Sequence, residues 1–463
     1  MNTKNMHELD MDLVQMTMDM MKYAIERVSE KEPAIGYPKN EETLRQEIGN
    51  TITEQGIGGE NAFKIFREKM LPTTVSANNP RHLAYIPAAP TRASILFDLV
   101  VSAISVHGAF WINASGGIYA ENEAMRWLVK LSGLPQPAFG TFTGGGTTAN
   151  LSALITARET WRNQKDPERN QRGLILAAHG AHASITNMAM AVDADIAYIE
   201  DNRDDKLDGS SLQKKIDHLS PADRKRLFAV VATAGTTNAG IIDELESIAE
   251  VCAQEKVWLH IDAAYGGGAL AVPEIRPLFK GIERADSITI DPHKWLFAPY
   301  DCGAILYKNP AQAKKIHAQH GGYLDLVYKD QTGFNPSEYQ ISLSRRLRGL
   351  PFWFSLAMHG TKKYEEAIRQ GLHLATLAAD HIRNMEHVEL VREPSLSCVV
   401  YRRKGWDKED YIRWTLKNQK EGYAVVTPTQ WTKNGKAETI TRFCFINPRT
   451  KEDDIIGILN SMK

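Results

Sequence analysis

Cysteine is scarce in this chain: there are four in 463 residues, Cys252, Cys302, Cys398 and Cys444. No two form a CxxC pair, which argues against a disulfide framework, a zinc ribbon or a redox dithiol. Few and scattered cysteines suit a reducing compartment. No run of 18 apolar residues occurs, so no membrane-spanning helix is expected. Neither sign of charge is in excess, since 55 Lys and Arg against 56 Asp and Glu leave a formal net charge of −1. That balance speaks against a nucleic-acid binder or any partner held by bulk charge. The 33 glycines follow no period, which excludes a collagen-like chain. The opening stretch MNTKNMHELDMDLVQMTMDMM carries acidic residues within its apolar part and no small-residue cleavage site. No signal peptide is expected from it, and a cytoplasmic protein is.

What is present is an ordinary globular mixture, 43% hydrophobic and 24% charged, rich enough to bury a core. At ~150 residues per domain the length suggests roughly three units, or one large α/β unit with appendages. Residues 8–30 and 41–70 carry helical spacing, with Leu13, Met16, Met20 and Tyr23 recurring on one face. Their methionines suit a packing surface better than a cofactor site, as in a helical arm (residues 1–75) lying on a partner subunit. The Asn78-Asn79-Pro80 turn separates this arm from the rest of the chain.

From about residue 140 short apolar runs alternate with helical stretches. Leu174–Ala178, Ala197–Glu200, Leu227–Ala234, Val257–Ala264, Ser287–Ile290 and Cys302–Tyr307 read as strands, with helices expected over 147–162, 182–192, 209–218 and 243–255. That alternation predicts βαβ units and a mainly parallel sheet, in an α/β unit spanning residues 76–350. Residues 308–350 read as a long loop, of the kind that forms lids. Residues 351–463 read as an α+β unit: helical to about 385, then VELVRE and LSCVVYRR as strands. A helix near 408–421, a strand over Thr439–Ile446 and a closing helix complete it.

Four constellations carry chemistry, each just after or between the strand-like runs. Gly144-Gly145-Gly146-Thr147-Thr148-Ala149-Asn150 feeds a helix. Its free N–H groups suit an anion such as phosphate, and equally a simple capped turn. Asp262 ends the run Leu259-His260-Ile261-Asp262. It can hold a cationic ligand group at a sheet's carboxyl edge, or cap the next turn. Lys294, in Asp291-Pro292-His293-Lys294-Trp295, is either a partly desolvated nucleophile or a snorkelling surface residue. His179-Gly180-Ala181-His182 comes after another strand. A zinc hydrolase built on His179, His182, His260 and Asp262 is a weaker alternative, because the spacing of HxxH and HxD fits metals but the surroundings do not. Together the four suit pyridoxal phosphate: a phosphate cradle, an acid for the pyridinium nitrogen, a lysine for the aldehyde and a histidine for the ring face.

The ordered segments GGGTTAN, AHAS, ATAGTTNAG, HIDAAYGG and DPHKW resemble those of the group II pyridoxal-phosphate decarboxylases. The likeness runs from RHLAYIPAAP near residue 81 through QISLSRRLRGLPFW to ITRFCFINPRT. The resemblance implies the fold of type I pyridoxal-phosphate transferases, a homodimer with active sites at its interface, and amino-acid decarboxylation. It also implies that Lys294 carries the cofactor and Asp262 pairs with its ring nitrogen. Ala264 would lie under the ring, His182 would stack above it, Thr236 would contact it, and Gly146, Thr147 and His293 would surround the phosphate. A catalytically silent partner-binding homologue is disfavoured, since Lys294, Asp262 and His182 are all retained. A retro-aldol lyase of the same fold is a nearer competitor.

One departure bears on the product. In the aromatic branch a lid tyrosine, four residues before the Gln of Q-I-x-L, supplies a proton to Cα. Here Gln340 sets that position at Pro336. Tyr323, Tyr328, Phe334 and Tyr339 stand nearby, and Tyr328 is assigned the role if the loop is differently spaced. Relatives with Phe at that position make aldehyde, ammonia and peroxide; the retained His182 favours the amine. The segment Leu83–Pro90, with Trp111, resembles the aromatic-type pocket, so an aromatic L-amino acid is the expected substrate. An acidic or diamino acid is the alternative, and an acidic one would need a cation such as Arg81 or His82.

Overall fold

The computed structural model describes residues 7–200, 202, 205–319, 321–324, 333–433 and 436–463. A seven-stranded sheet lies at its centre. In chain order the strands are β1 (Phe139–Thr143), β2 (Gly173–Ala178), β3 (Ala194–Ile199), β4 (Leu227–Thr233), β5 (Trp258–Asp262), β6 (Ser287–Ile290) and β7 (Gly303–Tyr307). Their spatial order is β1-β7-β6-β5-β4-β2-β3. β7 is the one reversed strand, antiparallel to both β1 and β6, so the expected parallel sheet is present around it.

Both faces of the sheet are buried, which explains the near-continuous apolar runs. Alternate residues serve opposite faces. Leu174, Leu176, Val230, Leu259 and Ile261 pack with Leu128, Ile248 and Ala249 on one side. Ile175, Ala177, Ala229 and Val231 pack with Ala149, Ala153 and Leu154 on the other. The latter three come from the Gly146–Lys165 helix.

A second sheet, ordered β10-β11-β9-β8, is wholly antiparallel. It consists of β8 (Val388–Leu390), β9 (Cys398–Arg403), β10 (Pro428–Lys433) and β11 (Lys436–Cys444). The Thr361–Arg383, Lys408–Lys420 and Glu452–Asn460 helices accompany it, as the α+β reading expects.

Several boundaries differ from expectation for local reasons. FGTFT forms β1 although it has no strand-like alternation, because its backbone pairs along its whole length with β7. β10 likewise exists through pairing with β11. β3 starts three residues earlier than the apolar run suggests, drawn by parallel pairing of Gly173 with Ala194. The stretch after residue 308 is not wholly loop: Pro310–His317 is helical, with Asn309 accepting the Ala311 N–H and Pro310 in the first turn. The arm is interrupted, with helices at Met11–Ser29, Glu41–Ile48 and Gly59–Ile65. None of the three buries a residue in this chain.

Candidate active site

The carboxyl ends of the parallel strands open onto one cavity of about 340 Å³. Ligands in open α/β sheets bind at this edge. Gly144–Thr147 come after β1, His182 after β2, Asp262 ends β5 with Ala264 just beyond it, and His293 and Lys294 come after β6; all of them line the cavity. Residues spread over some 150 positions of sequence are thus gathered by strand parallelism.

The helix beginning at Gly146 has no side chain capping its N-terminus. Its first N–H groups are left to a ligand, with the helix dipole favouring an anion. Gly145 has φ +131° and ψ 173°, a conformation closed to L side chains. A Cβ at Gly146 would stand 2.7 Å from Asp291 Oδ2 and 3.3 Å from the Ala264 methyl, so the cradle is closed to any larger residue. Beside it, the buried Thr233 hydroxyl has no partner among the described residues and lines the same cavity. A bare helix terminus, an unpartnered buried hydroxyl, a lysine and an acid suit a phosphorylated aldehyde with a basic ring nitrogen.

Lys294 Nζ lies 3.2 Å from Asp291 Oδ2, with Asp291 buried and the lysine side chain 20% exposed. His293 Nδ1 accepts the Cys302 N–H at 3.1 Å. Its proton therefore sits on Nε2, 3.7 Å from Asp291. Burial pushes the His293 pKa down, partly offset by Asp291. His182 is exposed and fixed by Ser184, whose N–H donates to its Nδ1 at 3.2 Å. Nε2 is thus the nitrogen left to carry a proton.

Asp262 is 6% exposed. Its Oδ2 accepts the Asn150 side-chain N–H at 2.9 Å and its Oδ1 the Ala264 N–H at 3.1 Å. Asn150 Oδ1 in turn meets His260 Nε2 at 3.0 Å. The sequence assigns neither Asn150 nor His260 to the cofactor. The available signal was polar residues recurring at every second position of β5, a strand buried on both faces.

Thr236 stands at the edge of the group. Its hydroxyl accepts the Ile241 N–H at 3.1 Å, closing its own loop, while Thr233, Gly235 and Thr237 line the cavity. The metal alternative finds no geometry. His179 stacks on Tyr198 and faces Glu200, His260 is engaged with Ser287 and Asn150, and no metal-holding group exists among the described residues. Arg81 is taken up by the Tyr423 carbonyl, Glu32 and Asp454. His82 is buried and donates to the Ser76 carbonyl.

Tyr328 lies outside the described residues, as does the side chain of Tyr323. Tyr339, expected in the lid, belongs instead to the core, and half-buried Phe334 packs against it: the two stack at 4.4 Å, and Phe334 meets Phe139 edge-on. Pro336 opens a buried turn between them.

The family model described as the pyridoxal-dependent decarboxylase conserved domain matches residues 51–404. An aromatic-L-amino-acid decarboxylase of Bacillus atrophaeus is 28% identical over all of this chain and 96% of its own length. An L-2,4-diaminobutyrate decarboxylase of Acinetobacter baumannii is 30% identical over 78% of this chain and 74% of its own. Among solved structures, Oryza sativa TDC with PLP and tryptamine superposes with a TM-score of 0.90 at 23% identity, covering 99% of both chains.

Proposed function

From the premise that this chain belongs to the pyridoxal-dependent decarboxylase family, we propose that it removes the carboxylate of an aromatic L-amino acid and releases the amine. The chain is a pyridoxal-phosphate-dependent carboxy-lyase of the type I fold. Bound pyridoxal phosphate supplies an aldehyde for the substrate amine and a ring that accepts the electron pair left by carbon dioxide.

The observation that carries the residue roles is the convergence of Gly144–Thr147, His182, Asp262 and Lys294 on one cavity. In this reading the uncapped helix N-terminus binds the phosphate, aided by Thr147 and His293. Lys294 would hold the cofactor through its aldehyde, with Asp291 beside Nζ to balance the charge of the free ammonium. Asp262 keeps the ring nitrogen protonated, Ala264 leaves room beneath the ring, and His182 covers its open face. Thr236 shapes the loop that brings Thr237 to the ring.

The aromatic substrate is supported by the Bacillus relative, which matches this chain end to end. It is also supported by the engagement of Arg81 elsewhere, which leaves that cation unavailable to an acidic side chain. Tyr328 is the proposed proton donor to Cα. A second reading rests on Pro336: it is buried in a turn, with Tyr339 packed into the core and Phe334 against it. If Tyr328 does not reach Cα, the product becomes an aldehyde, with one dioxygen and one water consumed and carbon dioxide, ammonia and hydrogen peroxide released.

Incubation in air with tyrosine, DOPA, tryptophan, phenylalanine, glutamate and 2,4-diaminobutyrate tests both readings. Amine from an aromatic substrate, lost in Tyr328→Phe, is the expected result. Aldehyde with equimolar peroxide from the unaltered enzyme replaces the first reading by the second. Turnover of glutamate or diaminobutyrate alone overturns the substrate class.

A further inference from the structure

β5 carries Trp258, His260 and Asp262 at every second position, so their side chains leave the same face of the sheet. Ser287 on β6 is the register partner of His260. Asn150, one turn into the Gly146–Lys165 helix, packs down on that face. The five make an unbroken line. Trp258 Nε1 lies 2.8 Å from Ser287 Oγ, and Ser287 Oγ 2.9 Å from His260 Nδ1. His260 Nε2 lies 3.0 Å from Asn150 Oδ1, and Asn150 Nδ2 2.9 Å from Asp262 Oδ2. All four donors of the line are buried, with His260 and Ser287 at 0% exposure.

The chemistry of the two ends fixes every proton between them. An indole N–H can only donate and an ionised carboxylate can only accept. Trp258 therefore donates a hydrogen bond to Ser287 Oγ, whose own hydroxyl hydrogen is left to point at His260 Nδ1. Bare Nδ1 puts the imidazole proton on Nε2, which donates to Asn150 Oδ1. The Asn150 amide then has its NH2 toward Asp262. Turning Asn150 round would set a donor against a donor, and moving the His260 proton to Nδ1 would set bare Nε2 against Asn150 Oδ1, acceptor against acceptor.

We propose that Trp258, Ser287, His260 and Asn150 form a one-way hydrogen-bond relay that holds Asp262 as an oriented anion against the cofactor's ring nitrogen. This rests on the reading of Asp262 as the partner of that nitrogen. Burying a carboxylate is costly unless donors hold its oxygens. Without such donors the ring proton would pass to Asp262, and the electron sink would be lost. The relay keeps that proton on the ring by solvating Asp262 from behind. Asn150, His260, Ser287 and Trp258 are positioning residues, since none touches substrate.

The test uses holoenzyme loaded with pyridoxal phosphate labelled with 15N in the ring. Asn150→Leu and His260→Phe are expected to move the ring nitrogen resonance toward that of unprotonated pyridine. kcat should fall about 10- to 100-fold, as for other outer-sphere partners, with KM little changed. A purely structural role would lower stability and leave that resonance in place. Ser287→Ala, which deletes one hydroxyl, should move it in the same direction by less. If all folded variants keep the wild-type resonance while Asp262→Ala moves it, the relay is overturned and the role of Asp262 stands. If Asp262→Ala leaves the resonance unmoved, it is the role of Asp262 that fails. A second readout needs no cofactor: the 15N spectrum of His260 should show a neutral ring with the proton on Nε2. An Nδ1–H ring or an imidazolium at pH 7 overturns the relay.

Discussion

Lys294 and His260 answer to different controls, although each stands near a buried carboxylate. Lys294 remains one-fifth exposed and reaches the cavity. Lys294→Ala should abolish the visible absorbance of bound cofactor and bring turnover to background; full activity in that variant would remove the lysine from its role. His260 is wholly enclosed, and burial pushes its pKa down to about 4, with Asp262 pulling the other way. The unfolded chain, with its histidine near 6.5, then binds more protons than the folded one between those values. Stability contributed by neutral His260 is therefore complete above about 6.5 and is lost as pH falls toward 4, at up to about 1.4 kcal/mol per pH unit. Denaturant unfolding of wild type and His260→Phe across that window checks it: the variant should show the shallower decline. Lys294 could be singled out from its own motif. The hydrogen-bond partners of His260 could not, because Ser287 and Asn150 are 27 and 110 residues away.

The segment around Arg345 is pinned by a buried ion pair. Arg345 donates to both oxygens of Glu121 at 2.8 Å and to the Gly108 carbonyl at 2.6 Å. Glu121 also accepts the Gly349 N–H at 2.7 Å. Burial pushes the Glu121 carboxyl up, opposed by Arg345. Removing one partner leaves the other charge dry and unpaired, which costs about 3–5 kcal/mol. Arg345→Leu and Glu121→Leu should each lower the denaturant midpoint accordingly, while the double variant should recover much of the loss. An additive double variant would show that the pair is not coupled. At this scale the sequence is legible where an element makes itself. The Gly146–Lys165 helix is announced by its glycine turn and its alanine-rich first turns. β1 is not, because FGTFT becomes a strand only beside β7.

The described chain leaves rows of apolar side chains in water. The Met11–Ser29 helix buries none of its residues, and Met11 and Met18 are 80% and 62% exposed. On the adjoining Arg92–Ile104 helix, Leu96, Leu99, Val100 and Ile104 are exposed as well. Such a patch marks a protein interface, and a second copy of this chain is the proposed occupant. Leu99→Glu with Ile104→Glu should give a monomer in sedimentation velocity and lose most activity. A fully active monomer would overturn the proposed homodimer.

Composition and local motifs by themselves determined the class of this protein. Glycine turns, an Asp at a strand end and an Asp-Pro-His-Lys run are short-range features, so they survive in one dimension and could be matched to a family. Strand order, the reversed β7, the withdrawal of Tyr339 into the core with Phe334 against it and the line from Trp258 to Asp262 were decided only by tertiary structure. Each depends on groups far apart in sequence, and their partners are chosen by pairing and burial, which a linear pattern does not encode.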